Sequence, residues 1–126
     1  MSNIIKRTIK SISWALSGIS YAFRTQFNFR FHVISALIVL ILSIVLKLSP
    51  LEWCVVLFCI ASVITAELLN TAHEVNTDLI SPGFNEAAKH VKDLAAAAVL
   101  VTAIISAIIG CIIFLPKIYA LIIFTA

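Results

Sequence analysis

ELLNTAHEVNTD, residues 67–78, follows directly on a long apolar run, and its reading decides the fold. On a helix that advances about 100° per residue, Glu67, Asn70, Glu74 and Asp78 fall within about 80° of one another. They make one polar stripe. A carboxylate at membrane depth costs about 2.5–3.5 kcal/mol on insertion scales, so a stripe of acids persists there only where it is solvated, paired or used. The run before it, residues 51–66, has the composition of a membrane span, and the stripe continues the same helix out of the bilayer.

Composition places the whole chain in the same class. Of 126 residues, 62% are hydrophobic and 12% charged, against about 45–50% and about 25% in soluble domains. An integral membrane protein of one domain, residues 1–126, is expected. A chain this short cannot enclose a large polar site alone, so a homo-oligomer that builds its sites between subunits is also expected. Cys54, Cys59 and Cys111 lie inside apolar runs without zinc-site spacing and read as buried thiols. Lys6, Arg7, Lys10, Arg24 and Arg30 lie in the first 32 residues with no acid among them, a bias that belongs on the cytoplasmic side. No cleavable signal peptide is apparent, because the first long apolar run is preceded by this basic segment.

Outward from the stripe, residues of about 4–28 mix isoleucines and aromatic rings with lysines, arginines and serines, which predicts an amphipathic surface helix, with a break near Gly18 or between Thr25 and Asn28. Such a segment also serves as a plain anchor. Spans are predicted over about 29–48, 51–70 and 94–115, the first stopped by Ser49-Pro50. Ser81-Pro82-Gly83 breaks the second helix, and the loop after it carries Glu86, Lys89, His90, Lys92 and Asp93. The third span opens with Ala95, Ala96, Ala97 and Ala98, small residues that permit close helix approach. Pro116-Lys117 is expected to end it, leaving residues 119–126 as an interfacial tail too short to cross. The fold class is thus an all-α membrane protein with three transmembrane helices and a surface helix. With the basic amino terminus inside, residues 74–93 face the cytoplasm, where ATP is available.

The stripe, the pair Lys92-Asp93 and Arg30 converge on that face. Carboxylates take a hard divalent cation, which bridges phosphate oxygens, and a lysine adds a point charge to the same phosphates. No Gly-rich phosphate loop and no Ser-His-Asp pattern is present. The same charges also fit simple pairing of acids and bases at the membrane surface. Glu67, one turn from the apolar run, suits a general base, and Asn70 suits an interhelical hydrogen bond.

The pattern E-x-x-N-T-A-x-E-x-x-x-D, here Glu67, Asn70-Thr71-Ala72, Glu74 and Asp78, followed by Lys92-Asp93 and the alanines to Val99, resembles the prokaryotic diacylglycerol kinase and undecaprenol kinase family over roughly residues 14–115. Asn28-Phe29-Arg30-Phe31-His32 resembles the N-F-R-x-H segment typical of the undecaprenol kinases of Gram-positive bacteria. The resemblance implies a homotrimer in the bacterial cytoplasmic membrane, multi-pass, with sites shared between neighbours. Its partners would be a membrane lipid substrate and ATP, with Mg2+ as cofactor and no nucleic acid. Glu67 would take the proton from the lipid hydroxyl, Asn70 would position the reacting groups, Glu74 would bind the ion, and Lys92, Asp93 and Arg30 would hold the nucleotide, with Asp78 in support.

Two positions depart from the pattern. Gln26 stands where the family has a glutamate as second metal ligand, so the metal site loses a formal charge. His73 stands where the family has an aliphatic residue, about 110° from the centre of the stripe. It serves either as a packing residue or in an altered chemistry, while His32 and His90 read as interfacial. The reading is ATP-dependent phosphorylation of undecaprenol or diacylglycerol. Its rivals are a lipid phosphatase on the same scaffold and a non-catalytic oligomeric membrane protein.

Overall fold

A computed structural model describes residues 2–125 as four helices: α1 (Ser2–Thr25), α2 (Phe27–Val45), α3 (Pro50–Ile80) and α4 (Glu86–Thr125). Three of them, α2, α3 and α4, are long and apolar enough to cross a membrane. α3 packs most extensively on α4 and then on α2, while α1 touches α2 and α3.

α1 runs unbroken through Gly18, and the chain turns at Gln26, whose extended backbone (φ −103°, ψ 118°) separates α1 from α2. The carbonyls left open at the end of a helix need donors. Arg30 supplies them: its Nη1 donates to the carbonyls of Phe23 (3.1 Å) and Arg24 (3.2 Å). The first helix therefore stops before the predicted boundary near 28, and Phe27 already belongs to the first span.

α2 also ends earlier than predicted, at Val45 rather than at Ser49-Pro50. Lys47 takes a left-handed conformation (φ 50°), and its N–H donates to Ile44 while that of Leu48 donates to Ser43. This pair of bonds closes a Schellman turn. Ser49 then caps α3: its side chain accepts from the Glu52 amide, and the Glu52 carboxylate accepts from the Ser49 amide, with Pro50 in the first turn. With 31 residues at about 1.5 Å each, α3 is about 46 Å long against a hydrocarbon core of about 30 Å. The acidic stripe lies on the surplus and its boundary.

The residues read as a polar loop, Glu86, Lys89, His90, Lys92 and Asp93, are instead the first turns of α4. Asn85 explains the difference, since its Oδ1 accepts from the amides of Ala87 (2.9 Å) and Ala88 (3.3 Å) and so caps the helix. At the other end, α4 continues through Pro116 to Thr125, so the segment after Lys117 is helical and not a separate tail. Proline removes one backbone donor and disfavours the helix, but α4 is held on both sides of it. Phe114 clusters with Leu48 and Val56, Ile113 and Ile118 pack against that cluster, and Lys117 meets Glu52 of α3 at 3.1 Å. Ala126, the last residue of the expected tail, lies outside the described residues.

The apolar cluster around Leu48, Val56 and Phe114 forms the end of the bundle near the α2–α3 turn. Towards the other end the buried positions turn polar: Glu67, Asn70, Thr71 and Thr77. Large apolar side chains such as Ile34, Leu37, Ile38, Ile41 and Ile44 of α2 point outwards, an arrangement suited to lipid or to further helices and not to water. The cysteines read as buried thiols are not all buried, since Cys54 and Cys111 are exposed on this apolar exterior.

Candidate functional site

The stripe forms as the helical period requires, on one face of α3, and α2 closes over it. Glu67 is 2% exposed. Among the described residues, the one side chain that pairs with its carboxylate is His32 of α2, with Nε2 3.4 Å from Oε1. One turn further, Thr71 donates its hydroxyl to the Glu67 carbonyl (2.9 Å), and both residues are buried.

Glu74 is the hub of the site. Its Oε2 accepts from the Gln26 amide nitrogen and its Oε1 from that of Asn70, both at 3.0 Å. Gln26 comes from the bend between α1 and α2, 48 positions away in sequence. Asn70 spends its Nδ2 on Glu74, and its buried Oδ1 has no partner among the described residues. Leaving a buried acceptor unpaired costs about 1–3 kcal/mol, so this oxygen is suited to receive a donor or a cation.

Asp78 pairs with Lys92, which joins the projecting end of α3 to the first turns of α4. Asp93 does not join the stripe. It pairs with Lys89 at 2.6 Å along α4, and that hydrogen bond and charge hold its carboxyl below the usual carboxylate range. Arg30, expected beside the nucleotide, is engaged at the end of α1 through Nη1. A guanidinium carries five N–H donors, so that engagement leaves others for a phosphate. His73 is exposed and makes no hydrogen bond or ion pair with the described residues.

The donor set fits a magnesium ion completed by substrate. Among the described residues, no three His, Cys, Asp or Glu side chains gather into a preformed site. Magnesium, however, is commonly held by one or two carboxylates with phosphates and water filling the shell. Glu74, the orphaned Asn70 Oδ1 and the Gln26 carbonyl are the oxygens on hand.

Beneath the stripe, between α2, α3 and α4, lies an apolar cavity of about 530 Å³, lined by Phe31 and His32 at one end and Phe114 and Leu115 at the other. A second groove, of about 580 Å³, runs between α1 and α3 past Gly18, Ala22, Thr71 and Asn76. His32 is the functional candidate that sequence reasoning placed elsewhere. Its nearness to Glu67 depends on the register of α2 against α3, which no spacing within one helix reveals.

The family model described as prokaryotic diacylglycerol kinase matches residues 13–114. The chain is 45% identical over 115 residues to the undecaprenol kinase of Bacillus subtilis, covering 91% of this chain and 94% of that one. It is 39% identical over 112 residues to a diacylglycerol kinase of Synechocystis sp., covering 88% and 64% respectively. A diacylglycerol kinase of Helicobacter pylori is 35% identical over 97 residues, or 76% of this chain and 75% of that one.

Proposed function

Because the chain belongs to the prokaryotic diacylglycerol kinase family, and is therefore a lipid kinase, we propose that it moves the γ-phosphoryl group of ATP to the hydroxyl of a membrane lipid alcohol at the cytoplasmic surface. Undecaprenol is favoured over diacylglycerol, since the undecaprenol kinase of Bacillus subtilis matches nearly end to end. The observation that carries the reading is the position of Glu67. It is a buried carboxylate paired with His32, which lines one end of an apolar cavity, and it lies one turn from Asn70 and two from Glu74.

Glu67 takes the proton of the lipid hydroxyl as that oxygen attacks the γ-phosphorus, so the O–H bond breaks while the new P–O bond forms and ADP leaves. A base within reach of this proton is worth about 10²–10⁴-fold in rate. Asn70 holds Glu74 through Nδ2 and offers Oδ1 to the reacting groups. Glu74, with the oxygens of Asn70 and Gln26, would hold Mg2+, which when bound neutralises phosphate charge. Lys92, Asp93 and Arg30 bind the nucleotide, and Asp78 keeps Lys92 at the face of α3. Phosphoryl transfer needs mainly positioning and charge neutralisation, and this set provides both.

α1 is read as an amphipathic helix on the cytoplasmic surface, and Lys10 over the Trp14 ring (5.3 Å) suits the headgroup layer. A homotrimer with sites completed by neighbours is read from the outward apolar faces and the small residues 95–98 of α4. The relatives described above are named kinases, which leaves the phosphatase and non-catalytic readings without a supporting observation. Purified protein incubated with γ-labelled ATP and a panel of lipid alcohols tests the reading: label should enter extracted lipid, and failure across the panel overturns it.

A further inference from the structure

We propose that His32 is the positioning residue for Glu67, holding the base in the one orientation from which it reaches the lipid hydroxyl. The inference rests on Glu67 being the base, and goes beyond it by naming what aims the carboxylate.

The geometry is specific. Glu67 sits in the interior of the bundle, and its carboxylate meets one partner among the described side chains, the His32 Nε2 at 3.4 Å. A buried carboxylate with no partner is costly and free to choose among rotamers, whereas an imidazole nitrogen 3.4 Å from Oε1 restricts that freedom and leaves Oε2 for the substrate. The imidazole is itself braced. The Phe31 ring lies edge-on to it, centroids 5.6 Å apart and planes at 77°. Both rings line the polar end of the apolar cavity. A hydrocarbon chain in that cavity brings its terminal hydroxyl to the His32 end, beside the residue that pairs with Glu67. The nucleotide-side residues Gln26, Asn70 and Glu74 form a separate hydrogen-bonded set that does not include His32, so loss of the imidazole breaks no hydrogen bond on the nucleotide side.

The test uses two variants with the same chemical group at different reach. His32→Gln carries an amide nitrogen out to about the position of Nε2, while His32→Asn stops one bond short; His32→Leu removes the donor. Lipid kinase activity is measured on the full chain in its detergent-solubilised oligomer, with kcat and the KM for ATP recorded separately. His32→Gln should stay within about threefold of the parent kcat, while His32→Asn and His32→Leu should fall by tenfold or more, all with KM for ATP unchanged. In a Glu67→Gln background, His32→Leu should have no further effect on residual turnover. Equal rates for the Gln and Asn variants overturn the proposal even where the Leu variant fails to fold. So does a rise in KM for ATP that matches the loss of rate. Full activity in Glu67→Gln alone overturns the base itself, a different result from full activity in His32→Asn with Glu67→Gln inactive.

Discussion

The Gln26 side-chain amide donates to Glu74 Oε2 at 3.0 Å, fastening the bend between α1 and α2 to the part of α3 that extends past its apolar run. A neutral donor thus sits where two acids would face each other in the family pattern. Both Glu74 oxygens are thereby engaged, Oε2 accepting from Gln26 and Oε1 from Asn70.

Glu67→Gln should lower kcat by at least about 10²-fold, the smaller end of what a positioned base contributes. The KM for ATP should hold, since among the described residues Glu67 shares no hydrogen bond or ion pair with Glu74, Asp78 or Lys92. Gln has nearly the volume of Glu, so the buried site is not emptied. Steady-state kinetics with label transfer to lipid provide the check, and parent-like turnover removes Glu67 from the mechanism.

Much of this was legible along the chain, because helical periodicity is a property of one segment. The stripe on α3 and the three apolar stretches follow from residue order alone. What escaped depends on contacts between segments or on single caps. His32 reaches Glu67 only through the register of α2 on α3. The polar stretch 86–93 joins α4 because Asn85 caps it, and Pro116 is tolerated because Lys117 and Ile118 are tied to α3 and the cluster near Leu48. The bend at Gln26 was anticipated within a window, but the Arg30 bonds that fix it were not.

His73→Leu should leave turnover within roughly twofold, the scale of surface substitutions away from special features. The imidazole is exposed and pairs with nothing among the described residues, so nothing in the site depends on it. Lipid phosphorylation compared between the two proteins at saturating ATP decides the matter. A tenfold loss with the oligomer intact would return His73 to the site, as a residue supplied to a neighbouring subunit.

Lys47→Gly should stabilise the protein. Lys47 holds φ 50° at the position after the cap of α2, where a side chain costs about 1–2 kcal/mol that glycine avoids. The Schellman bonds of Lys47 and Leu48 use backbone groups that glycine retains. A higher thermal midpoint in detergent, at unchanged kinase activity, is the expected result. An equal or lower midpoint would mean that the Lys47 side chain contributes more at the membrane surface than its conformation costs.

Gln26→Glu tests the metal reading and the bond between Gln26 and Glu74 together. The substitution replaces a donor 3.0 Å from Glu74 with a second carboxylate, so without a cation the protein loses a hydrogen bond and gains a like-charge pair. Together these cost on the order of 1–3 kcal/mol. With magnesium present the sign reverses, because the added charge becomes a ligand, and a charge-assisted contact of about 1.4 kcal/mol or more is worth roughly tenfold in affinity. Thermal unfolding in chelator should therefore show the variant below the parent, and added magnesium should raise its midpoint by more than it raises the parent's. In the kinase assay at fixed ATP, half-maximal rate should come at about tenfold lower magnesium. Glu74→Ala is the control, since it removes the hub and should abolish the magnesium response of the unfolding midpoint. A variant whose unfolding is equally low with and without magnesium, and whose kinetic midpoint is unmoved, would place the ion away from Gln26 and leave the amide as a purely structural fastening between the α1–α2 bend and α3.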